Sequence, residues 1–368
     1  MTFDKKNKNK IIIIIAIVVV IVIGLAIWLG GLFVKRGYKA DFRKLNIPLN
    51  SSLKPFGDKI LYIYDGMLYC CTDNGTTIWS YDVGDGAQVD CDNKNVVVWR
   101  KSNIYVLDAK GHSSYSDNLG QDIIFARINK QYFGVVIGDE RKSRLSIYDL
   151  KGTQIDEEST AFRDSLILDF GFFGRDGEYM WTLKLETDAT APNSILNTFE
   201  VGKMNTGEVS LGDYFTYSVL FDNGNLDIIN TRRMLSYDYR VSKQTRPSLL
   251  LYGWKMLDSI VYDDADAYML FVPLDQKAAG NGINELRLVS GKKDRRYTLP
   301  VTAVSAFLSD KNLYAVAGNT IYKASINDTG FTSFPINMKN GISKHIATLS
   351  NGKAIVSDGQ DVYTIILP

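Results

Sequence analysis

Cysteine is scarce in this chain, with only Cys70, Cys71 and Cys91 in 368 residues. An odd count without framework spacing excludes a disulfide scaffold. Histidine is scarcer still: His112 and His345 stand far apart and form no ligand set with the cysteines, so no structural metal site is expected. No P-loop, no Ser–His–acid arrangement and no metal motif is recognisable. Accordingly no catalytic, cofactor-binding or metal-ligating residue is assigned, and no cofactor is expected. The acidic pairs Asp263-Asp264 and Glu157-Glu158 lie among turn residues and read as solvated, and His112, just after the turn residue Gly111, reads as exposed. The segment 71–77 approaches an Asp-box but lacks its initial Ser, and reads as an ordinary hairpin turn.

A dominant charge is also missing. The net charge is +1, from 42 basic and 41 acidic residues. Residues 1–44 hold nine of the basic and two of the acidic groups, leaving a body with 33 against 39. A basic foot on a mildly acidic body excludes a nucleic-acid binder, which needs clustered positive charge on its folded part.

Beyond residue 34 no helix-period segment of useful length occurs. Residues 11–34, in contrast, read IIIIIAIVVVIVIGLAIWLGGLFV without one charge. As a helix this run spans about 36 Å, enough for a hydrocarbon core of about 30 Å with some tilt. Its β-branched residues do no harm in lipid, where the backbone must bond internally. A cleaved signal peptide would have a shorter apolar region and a small-residue site after it, whereas Lys35-Arg36-Gly37-Tyr38-Lys39 follows here. The expected organisation is therefore a basic cytoplasmic tail over 1–10, a transmembrane helix over 11–34 in contact with lipid, a linker over 35–41 and a folded domain over 42–368. Lys5, Lys6, Lys8 and Lys10 favour a cytoplasmic N-terminus, although Lys35, Arg36, Lys39, Arg43 and Lys44 nearly balance them. The reading adopted is a single-pass anchor with an extracytoplasmic body; a cytoplasm-facing body is the alternative.

The body is rich in aromatic residues (12%) and in turn signals such as Asp73-Asn74-Gly75, Ala109-Lys110-Gly111, Leu150-Lys151-Gly152 and Asp222-Asn223-Gly224. Short alternating runs between such turns predict an all-β array. The stretch Ile104–Gly111 lines up with Leu145–Gly152, and a large apolar residue recurs after the turn glycine at Trp79, Tyr115, Leu211 and Phe334. Four short strands per unit of about 40–45 residues is the propeller pattern. Units are expected to start near Ser52, Ala87, Asp122, Ser165, Phe215, Trp254, Thr302 and Gly341. The last unit offers only three strands, and residues 42–49, FRKLNIPL, would supply the fourth and close the ring. That count is eight blades; seven is the alternative, because residues 215–251 are ragged.

Residues 68–81, LYCCTDNGTTIWSY, resemble a PQQ-type propeller repeat: a strand, an Asp–Gly turn, then a Trp docking on the next blade. With its single N-terminal anchor, the chain resembles the uncharacterised membrane-anchored PQQ-like β-propellers of Gram-positive bacteria. A more distant likeness is to the propeller subunit of the Gram-negative outer-membrane assembly machinery. The resemblance implies a fold rather than an activity. PQQ-dependent dehydrogenases place a vicinal disulfide over their quinone, but those enzymes are much longer and need an acidic calcium site that has no counterpart here. Cys70 and Cys71 are expected instead to pack between blades.

Three connections between second and third strands are long: 138–143, 186–193 and 275–284. In a propeller they share one face with the links between blades, and loops on one face of a rigid scaffold are where binding resides. The expected function is a non-catalytic scaffold whose loop face binds an envelope protein or a wall polymer. The alternative is an enzyme or sugar-acting protein using the central channel, which convergent carboxylates or Arg clusters at the channel mouth would favour.

Overall fold

The computed structural model describes residues 40–49, 52–139, 142–158, 165–186, 191–262, 265–275 and 282–368. The chain divides into two units, 1–39 and 40–368, and every described residue lies in the second. The membrane segment 11–34, the apices of the three long connections and the pair Asp263-Asp264 lie outside the described residues. Among the described residues no helix is long and apolar enough to cross a membrane.

The second unit is an eight-bladed propeller: eight four-stranded antiparallel sheets follow one another, with no other sheet among the described residues. Blades 1 to 7 span 52–82, 88–118, 123–158, 165–212, 216–250, 254–303 and 305–335. Blade 8 takes three strands from 344–366 and its outermost strand, Phe42–Leu45, from the other end of the domain. Phe42 pairs with Ile365 and Leu45 with Val362, and Lys44 forms an ion pair with Asp361 at 2.6 Å. The inner strand of blade 8 also touches that of blade 1, so the ring closes and leaves no open inner edge. The eight-blade expectation and the closing strand are as anticipated, and the seven-blade alternative falls.

The strand sequences account for this architecture. Second strands are apolar without alternation, as in Asn95–Arg100 (NVVVWR) and Tyr268–Pro273 (YMLFVP), because both of their faces are covered by neighbouring blades. Outer strands such as Ser113–Asn118 (SSYSDN) are mostly exposed and polar. Apolar clusters fill the spaces between consecutive blades, for example Phe56, Leu61, Leu68, Val96, Val98 and Leu107 between blades 1 and 2. Trp79 reaches out of blade 1, and its indole N–H donates to the carbonyl of Ala109 in blade 2 at 3.1 Å.

Two blade boundaries differ from the expectation. Thr302 belongs to the outer strand of blade 6, Lys293–Ala303, and the inner strand of blade 7 starts at Ser305. That outer strand is prolonged because Ile283 pairs with Ala303 beyond a register shift. Blade 8 begins at Lys344 rather than at Gly341, which lies in the link where Ile342 bridges Gly318.

Candidate functional site

Antiparallel order puts the turns between first and second strands, and between third and fourth, at one end of the ring. The second-to-third turns and the links between blades emerge at the other end. Each end carries a feature that could engage a ligand.

At the first end the channel widens into a cavity of about 850 Å³ lined by the inner strands of blades 6, 7 and 8, with Asp258, Tyr262, Ser305, Phe307 and His345 on its wall. His345 stacks on Phe307 with ring centroids 3.7 Å apart and planes 7° from parallel. Its Nε2 lies 3.0 Å from the Thr348 hydroxyl, and burial pushes its pKa down to about 4. His345 is therefore a neutral wall residue at neutral pH. Elsewhere in the channel lining, carboxylates are matched by cations: Lys54 with Asp90 at 3.0 Å and Arg127 with Asp169 at 2.9 Å. These carboxylates also tie blades together, since Asp90 accepts the N–H of Ile128. These two channel carboxylates are neutralised by their cations, whereas Asp258 accepts only backbone N–H groups and has no such partner among the described residues.

The opposite end carries a groove of about 940 Å³ lined by Tyr214, Arg232, Leu250, Tyr252 and Leu274. It is built from the links into blades 5 and 6 and from the second-to-third turns of those blades. The link backbone is held: Leu251 N donates to Arg232 O at 2.7 Å, Trp254 N to Leu251 O at 2.9 Å and Leu274 N to Gly253 O at 2.8 Å. Its apolar side chains are nevertheless presented outward, with Phe215 58%, Leu250 63% and Tyr252 77% exposed. Arg232 and Arg233 stand over the Tyr214 ring at 5.2 and 5.7 Å, and the guanidinium of Arg232 donates to the Tyr214 hydroxyl.

The residues singled out in the sequence occupy unremarkable places. Cys70 packs in the cluster between blades 1 and 2 and Cys71 in that between blades 8 and 1. The two face opposite sides of their strand, and all three cysteines are free thiols. His112 is exposed, its Nδ1 lying 3.3 Å from Asp108. Glu157 is a surface residue beside Arg144 at 3.6 Å. Among the described residues no group of three His, Cys, Asp or Glu could hold a metal ion.

Sequence reasoning missed both the cavity and the groove. Asp258 and His345 come together only through ring closure, which spacing does not show. The groove had a signal, the run Leu249-Leu250-Leu251-Tyr252 directly before the turn residue Gly253. Leu251 is core, but Leu250 and Tyr252 on either side of it are not.

The sequence pattern of a family described only as of unknown function, DUF5711, matches residues 43–367. The chain belongs to that family. No curated protein matches it. Similar solved structures are propellers: BamB from Moraxella catarrhalis (10% identity, TM-score 0.53, covering 89% of this chain and 98% of that one) and Saccharomyces cerevisiae Sqt1 (10%, 0.56, 90% and 99%). The WD40 domain of SCAP from fission yeast is also similar (7%, 0.57, 89% and 94%). At such identities the likeness concerns the fold alone.

Proposed function

We propose that this member of a propeller family of unknown function is a non-catalytic binding scaffold. It is held in the cytoplasmic membrane by residues 11–34, and its propeller engages a partner protein on the extracytoplasmic side. The observation that carries the reading is the groove of Tyr214, Leu250, Tyr252 and Leu274 beside Arg232. Water-exposed Leu, Phe and Tyr side chains clustered on one end of a closed ring have an unfavourable hydration that a partner would relieve, at about 25 cal/mol per Å² buried. Tyr and Arg side by side is also the composition of interface hot spots. A protein side chain, apolar with an acidic neighbour to meet Arg232, suits this groove better than a hydrated wall polymer does. The long connection 275–284 starts at the rim of the same groove, at Asp275.

The membrane part rests on the uncharged run 11–34 and its length. Protease added to intact cells that make the full chain should release propeller fragments; full protection would place the body inside. The scaffold reading is tested by photo-crosslinking from position 252 in membranes. Leu250→Glu and Tyr252→Glu, both at exposed positions, should abolish the crosslinked partner while leaving the melting temperature within a few degrees. A partner captured equally well by both variants would overturn the groove as the binding site.

A further inference from the structure

A cation–carboxylate pairing between neighbouring inner strands recurs in the channel lining and is left incomplete at Asp258. The pairing is visible in the register of inner against second strands. Lys54 pairs with Leu61, the third residue of the second strand of blade 1. Arg127 holds the same place in blade 3, opposite Gly134, and Leu220 holds it in blade 5, opposite Asp227. The first two extend a cation to a carboxylate in the next blade, Asp90 and Asp169 respectively. The next blade after Leu220 also presents a carboxylate: Asp258 of blade 6, opposite Leu270, sits in the register that Asp90 occupies opposite Val97. Where the series calls for a cation, blade 5 supplies an aliphatic side chain that packs against the blade 5–6 core.

Asp258 is thus a carboxylate with no cationic partner among the described residues. One oxygen accepts the N–H of Ser259 at 2.8 Å and the other that of Leu308 at 2.7 Å. Those bonds latch blade 7 to blade 6 in the manner of Asp90 and Ile128, and they leave further lone pairs on both oxygens. Burial outweighs the two N–H donors and raises the carboxyl pKa, so its negative charge lacks compensation in place. Asp258 also lines the cavity of about 850 Å³, a volume within the range of small-ligand sites. The remaining wall adds no positive charge, because His345 is neutral, and it adds a flat apolar surface where His345 and Phe307 stack. A divalent metal fits poorly, since hard cations take six or more oxygen ligands, and the lining's two carboxylates, Asp258 and Asp310, belong to no group of three potential ligands among the described residues.

We infer that the channel cavity of blades 6 to 8 is a binding site for a ligand bearing an ammonium or guanidinium group, which pairs with Asp258 while its body lies against Phe307 and His345. The same chemistry could arrive as a free small amine or as a Lys or Arg side chain of a peptide. It is independent of the groove at the other end of the ring.

Titration calorimetry on the purified full chain, with agmatine as the free cation and acetyl-Gly-Arg-Gly-amide as the peptide, tests the inference. Saturable binding of either probe supports it, and which one binds identifies the source. Leu220→Lys, which completes the cation series inside the protein, should weaken that binding by at least about thirtyfold, as loss of a buried charge partner does. Asp258→Asn should act in the same direction. A melting curve guards against reading misfolding as lost affinity, and binding to the unsubstituted chain is informative even if both variants fail to fold. Binding of neither probe to the unsubstituted chain would overturn the site, as would a folded Leu220→Lys variant with unchanged affinity.

Discussion

The indole of Trp79 lies directly on the α-carbon of Gly111, so that a Cβ added to Gly111 would stand 2.6 Å from the ring. The same relationship recurs one blade on, where the Tyr115 ring covers Gly152. Both glycines also take a positive φ, +82° and +85°. The repeated Asp-x-x-Gly turn therefore does two things. It reverses the chain, and it provides the bare surface on which the preceding blade seats its aromatic side chain.

Gly111→Ala should accordingly destabilise the propeller by about 2–4 kcal/mol, combining left-handed backbone strain with overpacking against the indole. In a Trp79→Ala background the overpacking disappears and only the strain should remain. Urea denaturation of the two single variants and the double variant should give a coupling of about 1–2 kcal/mol. Strictly additive effects would mean that the ring does not sit on this glycine.

Much of this architecture is legible in the sequence, because each blade repeats a burial gradient: apolar second strand, turn, aromatic, polar outer strand. Even the closing strand Phe42–Leu45 is legible, since its pattern matches other outer strands. Residues 215–251 read as ragged for a local reason. Val241 takes a φ of +46° in the turn of blade 5, the place where Gly75, Gly111 and Gly152 stand in blades 1 to 3. Its N–H bonds to the Asp238 carbonyl as those of the glycines bond to Thr72, Asp108 and Asp149. The site features were far less legible. Lys54 meets Asp90, and Asp258 lacks a cation, only through the register of neighbouring sheets. Leu250 and Tyr252 differ from core residues by which side of a link they face.

The vicinal pair Cys70-Cys71 leads to a second expectation. Burial, opposed by the positive charge of Lys59 and aided to a smaller extent by Asp58, pushes the Cys70 thiol up to about 11. Burial, with Cys70 beside it, pushes Cys71 up to about 12. Because the thiolate is the nucleophile, both should react with iodoacetamide at pH 8 more than about a hundredfold slower than a free thiol, and at full rate in urea. Intact-protein mass spectrometry would detect the labels. Fast native labelling, or a mass two hydrogens lower that dithiothreitol restores, would contradict the between-blade packing.

A third expectation concerns the joint between blades 5 and 6, where Arg246 meets Asp222 at 2.9 Å, Asp227 at 3.4 Å and Asp266 at 3.1 Å. Asp222 and Asp227 are fully buried. Three carboxylates around one guanidinium favour retention of a proton. Burial, opposed by the Ser236 hydroxyl and by Arg246, raises Asp227 to about 7. A carboxyl raised in the folded state contributes stability that is complete below its unfolded pKa of about 4 and is lost as pH rises through 7. Asp227→Asn, which mimics the protonated form, should therefore be more stable than the unsubstituted chain at pH 8 and gain little at pH 5. Urea midpoints across that range would reveal it; a gap that does not widen with pH would refute the assignment.

His345 acts in the opposite direction. Burial lowers its pKa from 6.5 to about 4, so the neutral ring stacked on Phe307 contributes stability above pH 6.5 that is lost as pH falls toward 4. Between these values the unfolded chain binds a proton at this site and the folded chain does not, so stability rises with pH. Over the same window Asp227 makes stability fall with pH, and the two slopes oppose each other in the unsubstituted protein. Removing one should unmask the other. The Asp227→Asn variant should gain stability from pH 4.5 to 6.5, by up to about 1.4 kcal/mol per pH unit for a single site, and adding His345→Gln should flatten that rise. If adding His345→Gln leaves the Asp227→Asn profile unchanged there, His345 titrates normally and is not enclosed in the channel wall.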